Sequence, residues 1–306
     1  MSSFVARVLY VLAGLLGRLP WSWQRRLGDA IAALWLRRDA RESRVVRVNL
    51  ELAYPGLPPA ERAQWQRAIM RTTARQAVET LRLWTRPHAE NLRLLREQHG
   101  TDLFDAAVAS GKGLIVAAPH YGNWELLNQW LASRTPLAIL YRPPESAIGE
   151  AFLNLVRADT DAERVTQVRA EGAAVRQLWK RLNAGGVVGI LPDQQPKAGD
   201  GEFAPFFGVP ALTMTLLGRL AERTGATVLF AYCERIGTDA DPLGFALRIE
   251  AAPDGIAAPD PQRACVALNA AVERIARRDP AQYQWTYKRY TLRPSGDGND
   301  NPYRSR

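Results

Sequence analysis

The pattern of apolar and polar positions changes character close to Gly111. Before it, residues 24–53 and 59–98 carry apolar side chains at helical spacing, and Pro58-Pro59 stands where a helix begins. After it, the apolar residues collect in short continuous runs bounded by glycine and proline, which is typical of buried strands. The strands predicted in this way are residues 113–119, 136–142, 185–193, 226–234 and 243–250.

Amphipathic segments lie between and after these runs, and we predict that they form helices. Alternation of strands and helices with short connections favours an α/β fold, in which a mostly parallel central sheet is flanked by helices. The last residues, 296–306, are polar and contain glycine, so we expect a flexible tail. The predicted helices are residues 123–133, 147–157, 170–184, 211–224 and 260–278.

The first twenty residues have features of a membrane anchor. An uncharged run extends only from Val8 to Gly17, whereas a bilayer span needs roughly 20 apolar residues. Tryptophans and arginines follow it, which suits an anionic membrane surface. We therefore expect residues 1–20 to be a helical anchor that lies in the bilayer or crosses it marginally, with a single domain, residues 21–295, on the cytoplasmic side. The alternative is an ordinary buried N-terminal helix.

The net charge and its position along the chain indicate which classes of partner the protein attracts. The 306 residues carry a formal net charge of +9, and nine arginines against three carboxylates give residues 1–50 six of those nine charges. Such a surface attracts acidic lipid, acidic protein or nucleic acid. The two cysteines, Cys233 and Cys265, lie far apart, which indicates a reducing compartment with neither a disulfide framework nor a zinc site.

Polar residues follow three predicted strands at their carboxyl ends. They are His120, Arg142 and Asp193. Ligands of open α/β sheets bind beyond these strand ends, so we expect the three side chains to converge on one site. Each also has a purely structural interpretation: His120 as a helix cap or a partner of backbone groups, Arg142 as a surface turn residue, and Asp193 as a helix or turn cap.

His120 and Glu125 form the candidate catalytic pair. Gly122 permits a tight corner and Asn123 is a good N-cap, so we expect His120 in the turn and Glu125 in the first turns of the next helix. A carboxylate bonded to one imidazole nitrogen fixes the tautomer and makes the other nitrogen a competent base. No GxSxG elbow is present and neither cysteine has a histidine nearby, so we expect a substrate hydroxyl to be the nucleophile.

Taken in order, these motifs resemble the late acyltransferases of bacterial lipid A biosynthesis, the lauroyl/myristoyl transferase family of the glycerolipid-acyltransferase-like superfamily. "GKGLIVAAPHYGNWE" is similar to the family's His-x4-Glu block, and "YRP" follows the histidine by 22 residues. "LPDQQP" is similar to its aspartate block, and "FFGVPALTMTLLGRLAERTGA" resembles its Phe-rich loop and helix. "RVVRVNLELAYP" and "DPAQYQWTYKRY" resemble its terminal signatures, so the resemblance covers nearly the whole chain.

The resemblance implies acyl transfer from an acyl-carrier-protein thioester to a hydroxyl of a lipid A precursor at the inner membrane, with no metal or organic cofactor. It also implies that His120 is the general base, with Glu125 as its partner. The predicted substrate-binding residues are Arg142, Asp193, Asn123 and Gln194. Residues 202–218, with three phenylalanines and Met214, are expected either to line an acyl-chain groove or to pack in the core.

Two other functions remain open from the sequence. An enzyme of the same superfamily could acylate a phospholipid, an ornithine lipid or another glycolipid. A non-enzymatic basic protein could bind nucleic acid or an anionic membrane, but its charge would spread over a groove-sized surface, whereas here it concentrates behind the apolar N-terminal stretch. We therefore expect no nucleic-acid partner.

Overall fold

Helices and strands alternate along most of the chain. The computed structural model describes residues 2–141, 146–158, 164–169, 174–237, 243–295 and 301–304. The helices are α1 (Ser2–Arg18), α2 (Trp21–Arg37), α3 (Arg41–Ala53), α4 (Pro59–Thr85), α5 (His88–Leu92), α6 (Thr101–Ala109), α7 (Trp124–Arg134), α8 (Ala147–Ala158), α9 (Ala174–Asn183), α10 (Leu216–Thr224) and α11 (Pro261–Ala276). The strands are β1 (Leu95–His99), β2 (Leu114–Ala117), β3 (Leu137–Tyr141), β4 (Val165–Arg169), β5 (Val187–Ile190), β6 (Gly201–Phe206), β7 (Val209–Met214), β8 (Thr227–Arg235) and β9 (Phe245–Ala251).

In the described part of the chain, seven strands form the central sheet, in the order β1-β9-β8-β2-β5-β3-β4. All neighbours in this sheet run parallel except β8 and β9, which are antiparallel. The predicted α/β class with a mostly parallel sheet is therefore confirmed. Every residue of β2 and β5 is buried, as expected for parallel strands that are covered on both faces.

The core lies on both faces of this sheet, because successive side chains of a strand point to opposite sides. Ile115 and Ala117 of β2 join one core cluster, which also takes apolar residues from α9, α10 and α11. Leu114 and Val116 of the same strand join the other cluster, with residues of α6 and α7. The two clusters hold the sheet as a rigid layer, and its strand ends provide a fixed platform for a site.

The N-terminal helices pack around α4. Both α1 and α2 lie against α4, and α1 also lies against α8. Within the described ranges, no single helix combines the length and the apolar character needed to cross a bilayer. Residues Ser3–Arg18 and Trp21–Arg37 meet those criteria only as a pair, and that pair is bent by 117°.

The predicted helical region before Gly111 differs in detail. Residues 24–53 form two helices, α2 and α3, because the chain turns at Asp39, which adopts a positive φ of 43°. Residues 59–98 contain α4 and α5 but end in strand β1, which pairs with β9. All residues of β1 after Leu95 are exposed, so this edge strand lacks the apolar run that marks a buried strand.

Residues 211–224 were predicted to form one helix, and this prediction is wrong for the first four residues. Ala211–Met214 belong to β7, which forms an antiparallel hairpin with β6, and α10 begins only at Leu216. Phe207 and Gly208 make the two-residue connection, both with positive φ, which matches the geometry of a tight hairpin. The predicted strands at 113–119, 136–142 and 185–193 contain β2, β3 and β5, and those at 226–234 and 243–250 overlap β8 and β9, which each end one residue later.

The C-terminal residues 301–304 do not behave as the flexible tail that we expected. Tyr303 is buried, its hydroxyl hydrogen bonds with Oδ1 of Asn49 in α3, and the same hydroxyl oxygen accepts from the backbone N–H of Tyr290 at 3.2 Å. Burial of the tyrosine ring fastens this end of the chain to the N-terminal helices.

Candidate active site

The register of two strands brings His120 and Asp193 together. Strands β2 and β5 are parallel neighbours, and their last residues, Ala117 and Ile190, are partners in the ladder. His120 and Asp193 each follow their strand end by three residues. The ladder continues one step beyond the strands, because Ala118 N–H donates to the carbonyl of Ile190 at 2.9 Å. The two chains therefore leave the sheet side by side.

The turn that carries His120 is held by backbone hydrogen bonds to two other segments of the chain. Gly122 N–H donates to the carbonyl of Gln282, and Asn123 N–H donates to the carbonyl of Cys233 at 2.8 Å. Gly122 has a φ of 63°, and a Cβ at this position would collide with the carbonyl oxygen of Cys233. Glycine is therefore required here both for conformation and for space.

Asn123 has a structural role instead of the predicted substrate-binding role. Its side chain is fully buried, and its Oδ1 accepts from the backbone N–H of Leu126 at 3.1 Å, which caps α7. It is absent from the cavity that contains His120. The N-cap interpretation of this residue is correct, because the short amide satisfies one of the free N–H groups at the start of the helix.

Asp193 holds His120 at two points. Its Oδ1 lies 2.8 Å from Nδ1 of the imidazole, and its Oδ2 accepts from the backbone N–H of His120 at 2.9 Å. An ionised carboxylate accepts only, so Nδ1 carries the proton and Nε2 keeps its lone pair. Burial works to raise the pKa of the Asp193 carboxyl, but the charge and hydrogen bonds of His120 outweigh it and hold that pKa below its ordinary value.

Tyr283 completes the surroundings of Asp193. This tyrosine is buried near the Asp193 carboxylate, whose charge acts on its hydroxyl. Burial, together with the adjacent charge of Asp193, raises the pKa of the Tyr283 hydroxyl well above its usual value, so the hydroxyl stays protonated and remains a donor. The neighbouring backbone is fixed as well, because Gln284 N–H donates to the carbonyl of His120 at 3.0 Å.

Nε2 of His120 faces Gln194 and a large cavity. Nε2 of the Gln194 amide lies 3.3 Å from Nε2 of the imidazole, and Gln194 lines the same cavity as His120. Glu125 also lines this cavity, from the first turn of α7. The carboxylate that contacts Nδ1 of His120 is therefore Asp193. The prediction had named Glu125 as the partner that orients the imidazole. Arg142, predicted to bind substrate, lies outside the described residues.

The cavity has a volume of about 1090 Å³ and both apolar and charged walls. This lies at the upper end of the range of about 300–1,000 Å³ for small-molecule pockets, so the cavity has room for a long chain or a large head group. Among the described residues, neither serine nor cysteine lines it. Its apolar side chains come mainly from α4, α7, α8, α9, α10, β3, β4 and β7, and they include Trp84, Trp124, Leu153, Val156, Val175, Trp179, Leu216, Leu220, Ile139, Leu140, Val165 and Met214.

Two of the three phenylalanines of residues 202–218 belong to the core and not to an acyl groove. Phe206 and Phe207 are buried, join the core cluster of α11, and are absent from the cavity lining. Phe206 stacks edge-on against Phe207 at 4.8 Å between ring centroids. Of the residues predicted for the groove, Met214 does line the cavity.

A buried ion-pair network supports the turn from behind. Glu234, at the end of β8, accepts from the hydroxyl of Tyr121 at 2.8 Å and from Nε of Arg248 at 2.6 Å. Arg278 donates to both of its carboxylate oxygens, at 2.8 and 2.9 Å. Burial tends to raise the pKa of the Glu234 carboxyl, but the hydrogen bonds from Arg278, Arg248 and Tyr121 lower it to about 2. These bonds hold Tyr121, the residue that follows His120 in the sequence, in place.

Several residues of the site are not marked by any motif in the sequence. Tyr283 lies in the C-terminal segment that resembles the family signature, but no spacing links it to Asp193. His88 was given no role, yet it lines the cavity. Cations from three segments also line it, and these are Arg176, Lys197, Arg219 and Arg223. Among the described residues, no group of three or more histidine, cysteine or carboxylate side chains is arranged to hold a metal ion.

Comparison with known protein families agrees with this geometry. The family model for bacterial lipid A biosynthesis acyltransferases matches residues 3–291. The chain belongs to this family. It is an acyltransferase, and the resemblance drawn from the sequence motifs is confirmed.

Relatives of this acyltransferase fall into two groups. It is 27% identical over 286 residues to the lipid A biosynthesis palmitoleoyltransferase of Escherichia coli K12, which covers 92% of this chain and 89% of the relative. It is 25% identical to the lauroyltransferase of the same organism, over 92% and 90% of the two chains. A phosphatidylinositol mannoside acyltransferase of Mycobacterium tuberculosis is 30% identical over 182 residues, which are 58% of this chain and 57% of that one.

Proposed function

We propose that this acyltransferase moves a fatty acyl chain from an acyl-carrier-protein thioester to a hydroxyl of a lipid A precursor, with His120 as general base. The observation that supports this most is the buried His120–Asp193 pair, whose free Nε2 opens onto a cavity of about 1090 Å³. Membership of the family supports acyl transfer in lipid A biosynthesis.

In the proposed first step, Nε2 of His120 removes the proton of the acceptor hydroxyl, and Gln194 gives up its contact with that nitrogen. The acceptor oxygen then attacks the thioester carbonyl carbon and forms a tetrahedral intermediate. Asp193 stabilises the imidazolium through Nδ1, and the carboxylate of Glu125, on the wall of the same cavity, adds a second favourable charge. A base placed in this way contributes about 10²–10⁴-fold in rate.

In the second step, the intermediate expels the carrier thiolate. The carbon–sulfur bond breaks, the new ester bond remains, and the thiolate takes the proton from the imidazolium, which restores neutral His120. Arg142 is proposed to stabilise the oxyanion or to hold an anionic group of a substrate. No enzyme nucleophile is needed, which agrees with the cysteines. Cys233 is fully buried, and burial raises the pKa of the Cys265 thiol to about 11.

We test this reaction with three variants of the purified enzyme in detergent, supplied with acyl-carrier protein thioester and a lipid A precursor. The variants His120→Ala, Asp193→Asn and Glu125→Gln should all lose turnover, and His120→Ala should lose the most. His99→Ala is the matched control, because His99 is exposed at the end of β1 and is absent from the cavity lining. Turnover of His120→Ala close to that of the wild type would refute the base mechanism.

We further propose that residues 1–20 anchor the catalytic domain, residues 21–295, to the cytoplasmic face of the inner membrane. Helix α1 exposes much of its apolar surface, and Phe4, Val11, Leu12 and Leu15 are each at least half exposed. Trp23 of α2 is 60% exposed, and arginines follow it. Exposed apolar area beside cationic side chains is the combination that binds an anionic bilayer.

Vesicle flotation tests this anchor. The double variant Leu12→Ser with Leu15→Ser should bind poorly to vesicles that contain phosphatidylglycerol. The control pair, Leu103→Ser with Val266→Ser, removes comparably exposed apolar residues from α6 and α11 and should bind like the wild type. Equal binding of the two double variants would contradict an anchor in α1.

A second acceptor class has support from one relative. The mycobacterial phosphatidylinositol mannoside acyltransferase matches 58% of this chain, so a phospholipid, an ornithine lipid or another glycolipid is the alternative acceptor. Mass spectrometry of lipids from cells with and without the protein separates the two proposals. Lipid A that gains one acyl unit when the protein is present supports the first, whereas unchanged lipid A with a shifted phospholipid or glycolipid supports the second.

A further inference from the structure

Part of the cavity wall carries cations that no carboxylate of the described residues neutralises. Arg219 and Arg223 stand four residues apart on α10, and Arg176 lies on the adjacent helix α9. Lys197, from the loop that follows Asp193, lines the cavity as well. Within the described ranges, none of these four side chains takes part in an ion pair, and the carboxylates that line the cavity are Glu125 and Asp200.

This arrangement contrasts with other arginines of the molecule. Arg75 pairs with Asp29 at 2.6 Å, Arg134 with Asp105 at 2.7 Å, and Arg274 with Glu250 at 2.7 Å. Like charges four residues apart on a helix repel each other, so Arg219 and Arg223 are a cost to α10 unless an anion binds between them. Since they face the cavity of His120, that anion belongs to a ligand of the same site.

We propose that Arg219, Arg223 and Arg176, with Lys197, form a subsite for a phosphomonoester of the glycolipid acceptor. The subsite would hold the phosphate while a hydroxyl of the same molecule reaches Nε2 of His120. This inference rests on the proposed function, in which the acceptor is a lipid A precursor, and it assigns a phosphomonoester to that acceptor. Arginine suits the task because its planar fork of N–H groups matches two phosphate oxygens at once.

Charge and lining favour the acceptor over the donor as the source of this phosphate. A phosphomonoester carries close to two negative charges at neutral pH, whereas the phosphodiester of a carrier's prosthetic group carries one. Four cations therefore match the monoester better. Trp179 lines the cavity within one helical turn of Arg176, and it supplies an aromatic face against which a sugar ring can pack.

The test compares acceptors with and without phosphate in mixed micelles. The double variant Arg219→Gln with Arg223→Gln should raise KM for the phosphorylated acceptor by about 10- to 100-fold, the range expected for lost charge-assisted hydrogen bonds. It should also reduce the preference for phosphorylated over phosphatase-treated acceptor by a similar factor. Arg219→Lys with Arg223→Lys keeps the charge and should recover part of the loss. Lys180→Gln is the matched control, because Lys180 is exposed on α9 and is absent from the cavity lining.

Three outcomes would overturn the subsite. An unchanged KM in the glutamine double variant would do so, as would an equal rise for both forms of the acceptor. A rise in KM for the acyl-carrier thioester alone would assign the cations to the donor. Failure of the proposed function itself would give another result, because the wild-type enzyme would then transfer no acyl chain to either form of the acceptor.

Discussion

Asp193 and His120 each lie three residues beyond the end of a strand, and the last residues of those two strands are partners in the β2–β5 ladder. Their contact joins residues that are 73 positions apart in the sequence. The carboxylate that controls the imidazole therefore comes from the neighbouring strand, and Glu125, five residues from His120 in sequence, takes a place on the cavity wall.

Replacing Asp193 tests this relationship most directly. In Asp193→Asn, an amide oxygen still accepts from the backbone N–H of His120, but the NH₂ group faces Nδ1 and favours the tautomer with the proton on Nε2. That tautomer cannot accept a proton from the substrate, so kcat should fall by about 10²–10⁴-fold. Steady-state kinetics with a melting curve measures the effect. An unchanged kcat in a folded variant would show that Asp193 does not control the base.

Glu125→Gln should have a smaller effect than Asp193→Asn. The carboxylate of Glu125 acts through its charge in the cavity, and Nδ1 keeps its partner in the variant. We expect kcat to fall by about 10-fold, consistent with loss of one charge interaction at short range. A larger loss in Glu125→Gln than in Asp193→Asn, measured under the same conditions, would reverse the roles of the two carboxylates.

Gly122→Ala should damage the site through the backbone. The added methyl group would meet the carbonyl oxygen of Cys233, and the residue already has a positive φ. Gly111→Ala is the matched control, because its φ is 66° but nothing lies within 4 Å of the added Cβ. The control should lose about 1 kcal/mol of unfolding free energy from strain alone, and Gly122→Ala distinctly more, with lower activity. Urea unfolding measures the stability of both variants. Equal losses of unfolding free energy would show that the backbone relaxes the contact between the added Cβ and the Cys233 carbonyl oxygen at little cost.

Tyr283→Phe should change the pH dependence more than the fold. The phenyl ring fills nearly the same volume, but the buried Asp193 carboxylate loses a polar neighbour, which raises the pKa of that carboxyl. We expect kcat to fall by about 3- to 10-fold and the acid limb of its pH profile to move to higher pH. Tyr290→Phe is a useful control, since its hydroxyl donates to the backbone carbonyl of Phe206, away from Asp193. Superimposable pH profiles for wild type and Tyr283→Phe would contradict a positioning role.

Glu234 makes a stability contribution that depends on pH. Its carboxyl pKa is lowered from 4.5 to about 2 in the folded protein, so its contribution is complete above pH 4.5 and is lost as the pH falls towards 2. Glu234→Gln should cost about 2–3 kcal/mol of unfolding free energy at neutral pH, after allowance for solvent screening. The variant and the wild type should converge in stability between pH 4.5 and 2. Glu202→Gln, which replaces an exposed carboxylate, is the control. If the difference in unfolding free energy between Glu234→Gln and the wild type stays constant from pH 4.5 to 2, the ion pairs of Glu234 do not cause that difference.

Strand prediction from the sequence depended on burial. The five predicted strands are covered on both faces of the sheet or lie next to such strands, so they appear as apolar runs. The edge strands β1 and β4 contain mostly polar residues, and only their pairing with β9 and β3 makes them strands. The hairpin of β6 and β7 was missed for a related reason, because the helical spacing of residues 211–224 does not reveal the antiparallel partner.

The sequence by itself determined the fold class, the turn that carries His120, and the family to which the chain belongs. These features depend on local chemistry: apolar runs, a glycine at a tight corner, an asparagine that caps a helix, and motifs in a fixed order. Only the tertiary structure decided which carboxylate touches His120, which aromatic residues belong to the core, and which cations share the cavity with the base. Those relationships join distant segments, and their distances follow from strand register and helix packing, which spacing along the chain does not contain.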